Sequence, residues 1–184
     1  MNPIFAAALE IQKVCDARKF PFCFIGGVAV QRWGEPRLTA DVDLTLLTGF
    51  GAEAPYIDAL LTEFRGRLPD TREFALVNRT LLLWSSARVA LDVSLGAMPF
   101  EEHTIERASD FTIGAAQVIR TCSAEDLIVH KTFAGRDKDW LDIRGIVKRR
   151  GDALNRELIW TELAPLLELA GDDGQSQRLR AILS

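Results

Sequence analysis

The sequence has few of the residues that define several large classes of protein. Its 184 residues include 3 Cys, 13 Gly and 7 Pro, whereas 48% are hydrophobic. This composition excludes a disulfide-rich scaffold, a collagen-like fibre and a disordered chain. The cysteines are widely spaced in apolar surroundings and show no zinc-ligand spacing, which predicts reduced core residues of a cytoplasmic protein.

Long hydrophobic runs and a strong charge of one sign are also missing. The longest apolar stretch, Phe22 to Val30, has nine residues including two glycines, whereas a membrane-spanning helix needs about 20. We therefore expect no membrane interaction. A net charge of −4 disfavours nucleic-acid binding by bulk electrostatics and leaves the run Lys148–Arg150 as a local basic patch.

The apolar periodicity predicts a mixed α/β part over residues 1–121 and a helical part over 122–184 packed on it. The predicted strands are Phe22–Ile25, a strand starting near Thr39, Phe74–Val77, Thr80–Trp84, Val89–Leu95 and two strands within 111–121. The predicted helices are 3–19, 28–33, 54–64, 101–108, one starting after the N-cap Ser123, 138–150, 155–170 and 174–183.

Polar and apolar residues alternate through Asp41-Val42-Asp43-Leu44. Side chains two positions apart on a strand share a face, with Cα atoms about 6.5–7 Å apart. The two carboxylates therefore project together, and they repel each other unless a cation lies between them. Mg²⁺ prefers such oxygen ligands and keeps room for water and phosphate, so the pair predicts a Mg²⁺ site, with Mn²⁺ as the alternative ion.

The turn Gly26-Gly27 follows an apolar strand candidate and precedes a short helical segment. Glycines in this position let backbone N–H groups approach a phosphate closely. Thirteen residues separate Gly27 from Asp41, so the sequence pairs a phosphate-binding turn with metal-binding acids. The alternative is that Gly27 only supplies a positive φ, in which case Gly27→Val would reduce stability rather than nucleotide affinity.

Asp92 offers a third carboxylate within the strand candidate Val89–Leu95. An adjacent strand would bring it to the same metals, where it is also a candidate general base for an attacking hydroxyl. Arg37 and Thr39, just before the acidic pair, are candidate substrate contacts. A loop arginine is more commonly solvated, so both interpretations of Arg37 stay open.

Gly26-Gly27, the spacer and Asp41-Val42-Asp43-Leu44 together resemble the signature of the DNA polymerase β-like nucleotidyltransferase superfamily. The resemblance implies an α/β (α+β) nucleotidyltransferase fold, in which helices flank a mixed sheet that bears the acids. It also implies that Asp41, Asp43 and Asp92 hold metal and take part in catalysis, and that the two glycines face the triphosphate of an NTP.

The helical part adds a second resemblance. Ser123–Lys131 followed by Ala134–Ile143 is similar to the AbiEii-type branch, whose members include nucleotidyltransferase toxins of toxin–antitoxin pairs. This resemblance implies that Lys131 and Asp139, together with Asp142, line the nucleotide side of the cleft. The two aspartates fit equally well as acids near the start of a helix.

These features predict a metal-dependent nucleotidyltransferase that moves a nucleoside monophosphate from an NTP to an acceptor hydroxyl and releases pyrophosphate. The toxin-like helical part favours an RNA end or a protein as acceptor, with an antitoxin protein as a partner. A small-molecule acceptor, as in antibiotic nucleotidyltransferases, is one alternative. A non-catalytic nucleotide-binding regulator is another, and it is disfavoured because a pure binder has no need of adjacent uncompensated carboxylates.

Overall fold

The computed structural model describes residues 2–114, 116–172 and 174–184. The chain forms two compact units, each built from separate segments of the sequence. The first unit contains the residues up to Val28 together with Leu38–Cys122, and the second contains Ala29–Arg37 together with Ser123–Ser184. Within the described ranges, no helix has both the length and the apolar character that crossing a membrane requires.

The first unit contains a mixed sheet and the helices that cover it. Its strands are β1 (Phe22–Phe24), β2 (Asp41–Leu47), β3 (Arg65–Gly66), β4 (Thr80–Trp84), β5 (Ala90–Gly96), β6 (Ser109–Ile113) and β7 (Gln117–Thr121), in the sheet order β3-β4-β5-β2-β1-β7-β6. Its helices are α1 (Pro3–Ala17), α3 (Ala54–Leu61), α4 (Thr71–Asn78) and α5 (Pro99–Glu106), and α2 (Gly26–Trp33) crosses from this unit into the second.

The central strands β2 and β5 run parallel to each other, with the antiparallel neighbours β1 and β4 on their outer sides. Val42, Leu44 and Leu46 of β2 are fully buried. They pack with the apolar residues of β5 and of helices α1 and α3 in one core. The alternation predicted from Asp41 onward is thereby confirmed, since the intervening acids lie on the opposite face.

The strand predicted at Phe74–Val77 is wrong, because these residues belong to helix α4. The buried residues of α4 are Thr71 and Ala75. They are four positions apart and therefore lie on one face of the helix. Val77 is 80% exposed. Arg79 follows the helix as its C-cap, in the left-handed conformation with φ of 52°.

The second unit is helical. It contains α6 (Ala124–Ala134), α7 (Asp137–Arg150), α8 (Arg156–Ala170) and α9 (Gln175–Leu183), with a short 3₁₀ turn at Gly151–Ala153. The N-cap predicted at Ser123 is confirmed, because its hydroxyl accepts a hydrogen bond from the backbone N–H of Asp126 at 3.0 Å. The core of this unit includes Leu127, Ile143, Ile159 and Leu179, each fully buried.

The segment Ala29–Arg37 packs on helix α7, which explains why it belongs to the helical unit. Gly145 has no side chain at the point where the backbone of Glu35 approaches it, 3.1 Å from where a Cβ would lie. Lys148 pairs with Glu35 at 2.8 Å, and Arg149 donates a hydrogen bond to the carbonyl of Gly34. Two residues of the predicted basic patch therefore hold this segment.

Candidate active site

Three carboxylates meet on the polar face of strands β2 and β5. The parallel register places Asp43 directly opposite Asp92, and Asp41 lies two residues before Asp43 on the same face. One carboxylate oxygen from each residue lies within 4.8 Å of the others, and all three residues are half-buried. The structure thus brings together the acids that the sequence placed on separate strands, and we call them the acidic triad.

Hydrogen bonds orient two members of the triad. The hydroxyl of Thr39 donates to Oδ1 of Asp41 at 2.9 Å, so this predicted substrate contact touches an acid within its own unit. The guanidinium of Arg67, just after β3, forms an ion pair with Oδ1 of Asp92. Sequence reasoning missed Arg67, because it lies between two short elements with no motif around it.

The three acids fit a divalent cation. Burial raises the pKa of Asp92 above its ordinary value, Arg67 opposes that rise, and the neighbouring Asp41 carboxylate adds to it. Mutual repulsion of this kind is what a bound cation relieves. Hard carboxylate oxygens so close together are the ligands that Mg²⁺ and Mn²⁺ accept.

The glycine turn lies directly against β2. Gly26, which has a φ of +55°, starts helix α2 where a Cβ would lie 2.0 Å from Oδ2 of Asp43. At Gly27 a Cβ would lie 2.3 Å from the Thr39 hydroxyl oxygen. The positive φ therefore belongs to Gly26 rather than to Gly27, and both glycines leave room for side chains that belong to or touch the triad. A role for them in binding phosphate stays a prediction.

Gly26→Ala is expected to lower the free energy of unfolding by about 2–4 kcal/mol, because the new methyl adds an overlap with Asp43 to the cost of a left-handed backbone. Gly49→Ala is the matched control, since Gly49 has a φ of +76° and open space around it. Urea unfolding of both variants checks the difference. Equal losses at the two positions would show that Asp43 moves aside without cost.

A second group of charges lies inside the helical unit, and we call it the buried lysine cluster. Lys131 is 4% exposed, and its Nζ lies 3.1 Å from Oδ1 of Asp139 and 2.6 Å from Oδ2 of Asp142. Arg37 donates two hydrogen bonds to Asp142, at 2.7 and 2.8 Å. Arg136 donates to Asp139 at 2.6 Å. The predicted nucleotide-binding residues Lys131 and Asp139 are thus paired with each other.

The pKa values of both aspartates in the buried lysine cluster are lowered. Burial would raise the pKa of Asp139, but hydrogen bonds and charge from Arg136 and Lys131 outweigh it. Burial would also raise the pKa of Asp142, but hydrogen bonds and charge from Arg37 and Lys131 outweigh it. Both carboxylates therefore stay ionised. Their main contacts are with these basic side chains rather than with the start of helix α7.

The stability of the protein is expected to fall in acid below the ordinary aspartate pKa of 3.8, because Asp139 and Asp142 bind protons more readily when the chain is unfolded. Their contribution is fully present above that pKa and disappears as the pH falls through the lowered folded values. Urea unfolding of the wild type and of Asp142→Asn at pH 7, 5, 4 and 3 checks this. A variant as acid-sensitive as the wild type would contradict the assignment to Asp142.

Solved nucleotidyltransferase structures share this fold. An antigenic nucleotidyltransferase-like protein from Paracoccidioides brasiliensis aligns over 96% of this chain and 91% of its own, with a TM-score of 0.52 and 18% identity. The solution structure of antibiotic-resistance factor ANT(2'')-Ia aligns over 96% and 99%, with a TM-score of 0.51 and 16% identity. The crystal structure of ANT(2'')-Ia in complex with adenylyl-2''-tobramycin aligns over 89% and 96%, with a TM-score of 0.54 and 17% identity. The predicted fold class is confirmed.

The fold is that of solved nucleotidyltransferase structures. The chain belongs to the family described as nucleotidyl transferase AbiEii toxin, type IV toxin–antitoxin system, whose model matches residues 14–182. This match confirms the resemblance seen in the sequence and the prediction of a nucleotidyltransferase enzyme. No curated protein sequence matches the chain significantly.

Proposed function

We propose that this nucleotidyltransferase depends on a divalent metal and moves a nucleoside monophosphate from an NTP to a hydroxyl of a cellular macromolecule, an RNA end or a protein. The observation that supports this is the acidic triad, in which oxygens of Asp41, Asp43 and Asp92 converge within 4.8 Å. The first unit would be the catalytic one, corresponding to the predicted domain 1–121. The helical part from 122 would form the predicted second domain.

In the proposed reaction, the acceptor hydroxyl attacks the α-phosphorus, and the bond to pyrophosphate breaks. Asp41, Asp43 and Asp92 would hold the metal, which when bound polarises the α-phosphate and stabilises the charge that develops on it. Asp92 would also accept the proton of the attacking hydroxyl.

The chain's own residues would position these groups. Thr39 fixes the carboxylate of Asp41 through its hydrogen bond of 2.9 Å. Gly26 and Gly27 are proposed to bind the triphosphate through backbone N–H groups. Lys131 and Asp139 stay proposed nucleotide-binding residues, and two of the three N–H donors of the Lys131 ammonium already point to Asp139 and Asp142.

Labelled nucleotides test the proposal directly. The purified protein is incubated with Mg²⁺ and each NTP, labelled either on the α-phosphate or on the γ-phosphate, in the presence of total tRNA or a protein extract. We expect α-label in a macromolecule and γ-label only in released pyrophosphate. Transfer of γ-label would indicate phosphoryl transfer instead. Absence of both, with pyrophosphate release also absent, would favour the non-catalytic regulator.

A small-molecule acceptor is the second candidate, and the likeness to ANT(2'')-Ia, solved with adenylyl-2''-tobramycin, favours it. Tobramycin forms a further arm of the same experiment, with product detected by mass spectrometry. The family description instead favours a cellular target and an antitoxin protein as partner. If tobramycin is labelled while RNA and protein are not, the small-molecule acceptor becomes the favoured candidate.

A further inference from the structure

Arg67 reaches the acidic triad from the edge of the sheet. Its backbone N–H donates to the carbonyl of Leu82 at 3.0 Å, and Leu82 lies opposite Asp92 in the pairing of β4 with β5. The side chain can therefore extend across β4 to the third acid, where Nη1 contacts Oδ1 of Asp92. Its Cζ also lies 5.4 Å from the centroid of the Trp84 ring.

The Arg67 guanidinium serves as a counter-ion to Asp92 within the protein. The side chains of Arg67 and Asp92 are 26% and 33% exposed, so water screens the pair less than it screens a surface ion pair. Three carboxylates within 4.8 Å repel one another, and the guanidinium offsets part of that repulsion. It does so at an oxygen of Asp92, on the residue that also completes the metal-ligand set.

We propose that Arg67 competes with the divalent cation for Asp92 and thereby sets the affinity of the acidic triad for metal. This inference rests on the proposed metal-dependent function. The guanidinium stabilises the triad without metal, and it occupies an oxygen of the carboxylate that the cation would bind. Two positive groups at one carboxylate repel each other, so Arg67 weakens metal binding while it orients the acid. Arg67 acts through Asp92 and is therefore a positioning residue.

Arg67→Gln should then have two opposite effects. In metal-free protein the melting temperature falls, because Asp92 loses its partner while its acidic neighbours remain. Mn²⁺ binds more tightly, with a dissociation constant about tenfold lower, because the competing guanidinium is gone. A residue needed only for folding would weaken metal binding instead. Arg67→Lys keeps the charge and should restore most of the wild-type affinity.

The experiment measures Mn²⁺ binding by titration calorimetry and by electron paramagnetic resonance, together with thermal melts with and without Mn²⁺. Arg72→Gln is the matched control, since it removes the same charge from a pair with Asp58 that lies outside the triad. Tighter Mn²⁺ binding in Arg67→Gln, unchanged binding in Arg72→Gln and a larger Mn²⁺-induced rise in melting temperature support the proposal.

The outcomes separate this inference from the proposed function. Mn²⁺ binding that Asp41→Asn abolishes but Arg67→Gln leaves unchanged or weakens overturns the inference and keeps the metal site. If the wild type binds no Mn²⁺ and Arg67→Gln does, Arg67 blocks the site and the inference is supported. If neither protein binds Mn²⁺, both the inference and the metal dependence fail.

Discussion

Asp41→Asn is expected to reduce the rate of nucleotidyl transfer by about 10³-fold or more, because the triad loses a charged metal ligand. The fold should stay intact. Asparagine has the same shape and keeps an oxygen that accepts the hydrogen bond from Thr39. The substitution also removes a neighbouring negative charge, which adds to the effect of burial in raising the pKa of Asp92.

Two measurements on Asp41→Asn separate catalysis from folding. Without metal, the free energy of unfolding should equal or slightly exceed that of the wild type. The rise in melting temperature that Mg²⁺ produces should shrink, because a weaker ligand stabilises the folded state less. Asp58→Asn, which removes an exposed carboxylate paired with Arg72, is the control for net charge. Strong destabilisation by Asp41→Asn would mean that the acid is structural.

Lys131→Met is expected to destabilise the protein by about 2–3 kcal/mol, because two buried carboxylates each lose a charge-assisted hydrogen bond while each keeps an arginine partner. Asp139 and Asp142 are 0% and 5% exposed. After the substitution, Arg136 and Arg37 alone would balance them. The methionine fills a similar volume, so the loss reports the missing charge rather than a cavity.

Lys148→Met is the matched control for this prediction. Lys148 pairs with Glu35 on the surface, with side-chain exposures of 77% and 62%, and water screens such a pair so that it contributes little to stability. In urea unfolding, Lys131→Met should lower the free energy of unfolding several times more than Lys148→Met does. A Lys131→Met protein as stable as Lys148→Met, but with weakened NTP binding, would show that Lys131 serves the nucleotide and not the fold.

Much of the candidate site follows from local patterns in the sequence. The period of two through Asp41-Val42-Asp43-Leu44 placed both acids on one face of a strand, and the structure has them there. The N-cap at Ser123 followed from its position before an apolar helical run. The helix predicted at 155–170 corresponds to Arg156–Ala170. Each of these features depends on residues a few positions apart, which is why the sequence alone was enough.

The segment Phe74–Val77 shows where local reasoning fails. Its apolar residues suit a strand or a helix equally well over four positions. Packing against the core selected the helix, because Thr71 and Ala75 then lie on one buried face. The signal was present in the four-residue spacing of the buried side chains, but burial itself is not visible in the sequence.

Several partners of the charged residues came from contacts that local sequence patterns do not reveal. The register that places Asp43 opposite Asp92, the reach of Arg67 across β4 and the approach of Gly26 to Asp43 all join parts of the chain far apart in sequence. The pairing of Lys131 with Asp139 and Asp142 depends in the same way on how α6 and α7 pack. Residue type and short-range period specified which groups can carry charge and which face they share. Long-range packing chose their neighbours, because strand register and helix contacts depend on the burial of the whole core.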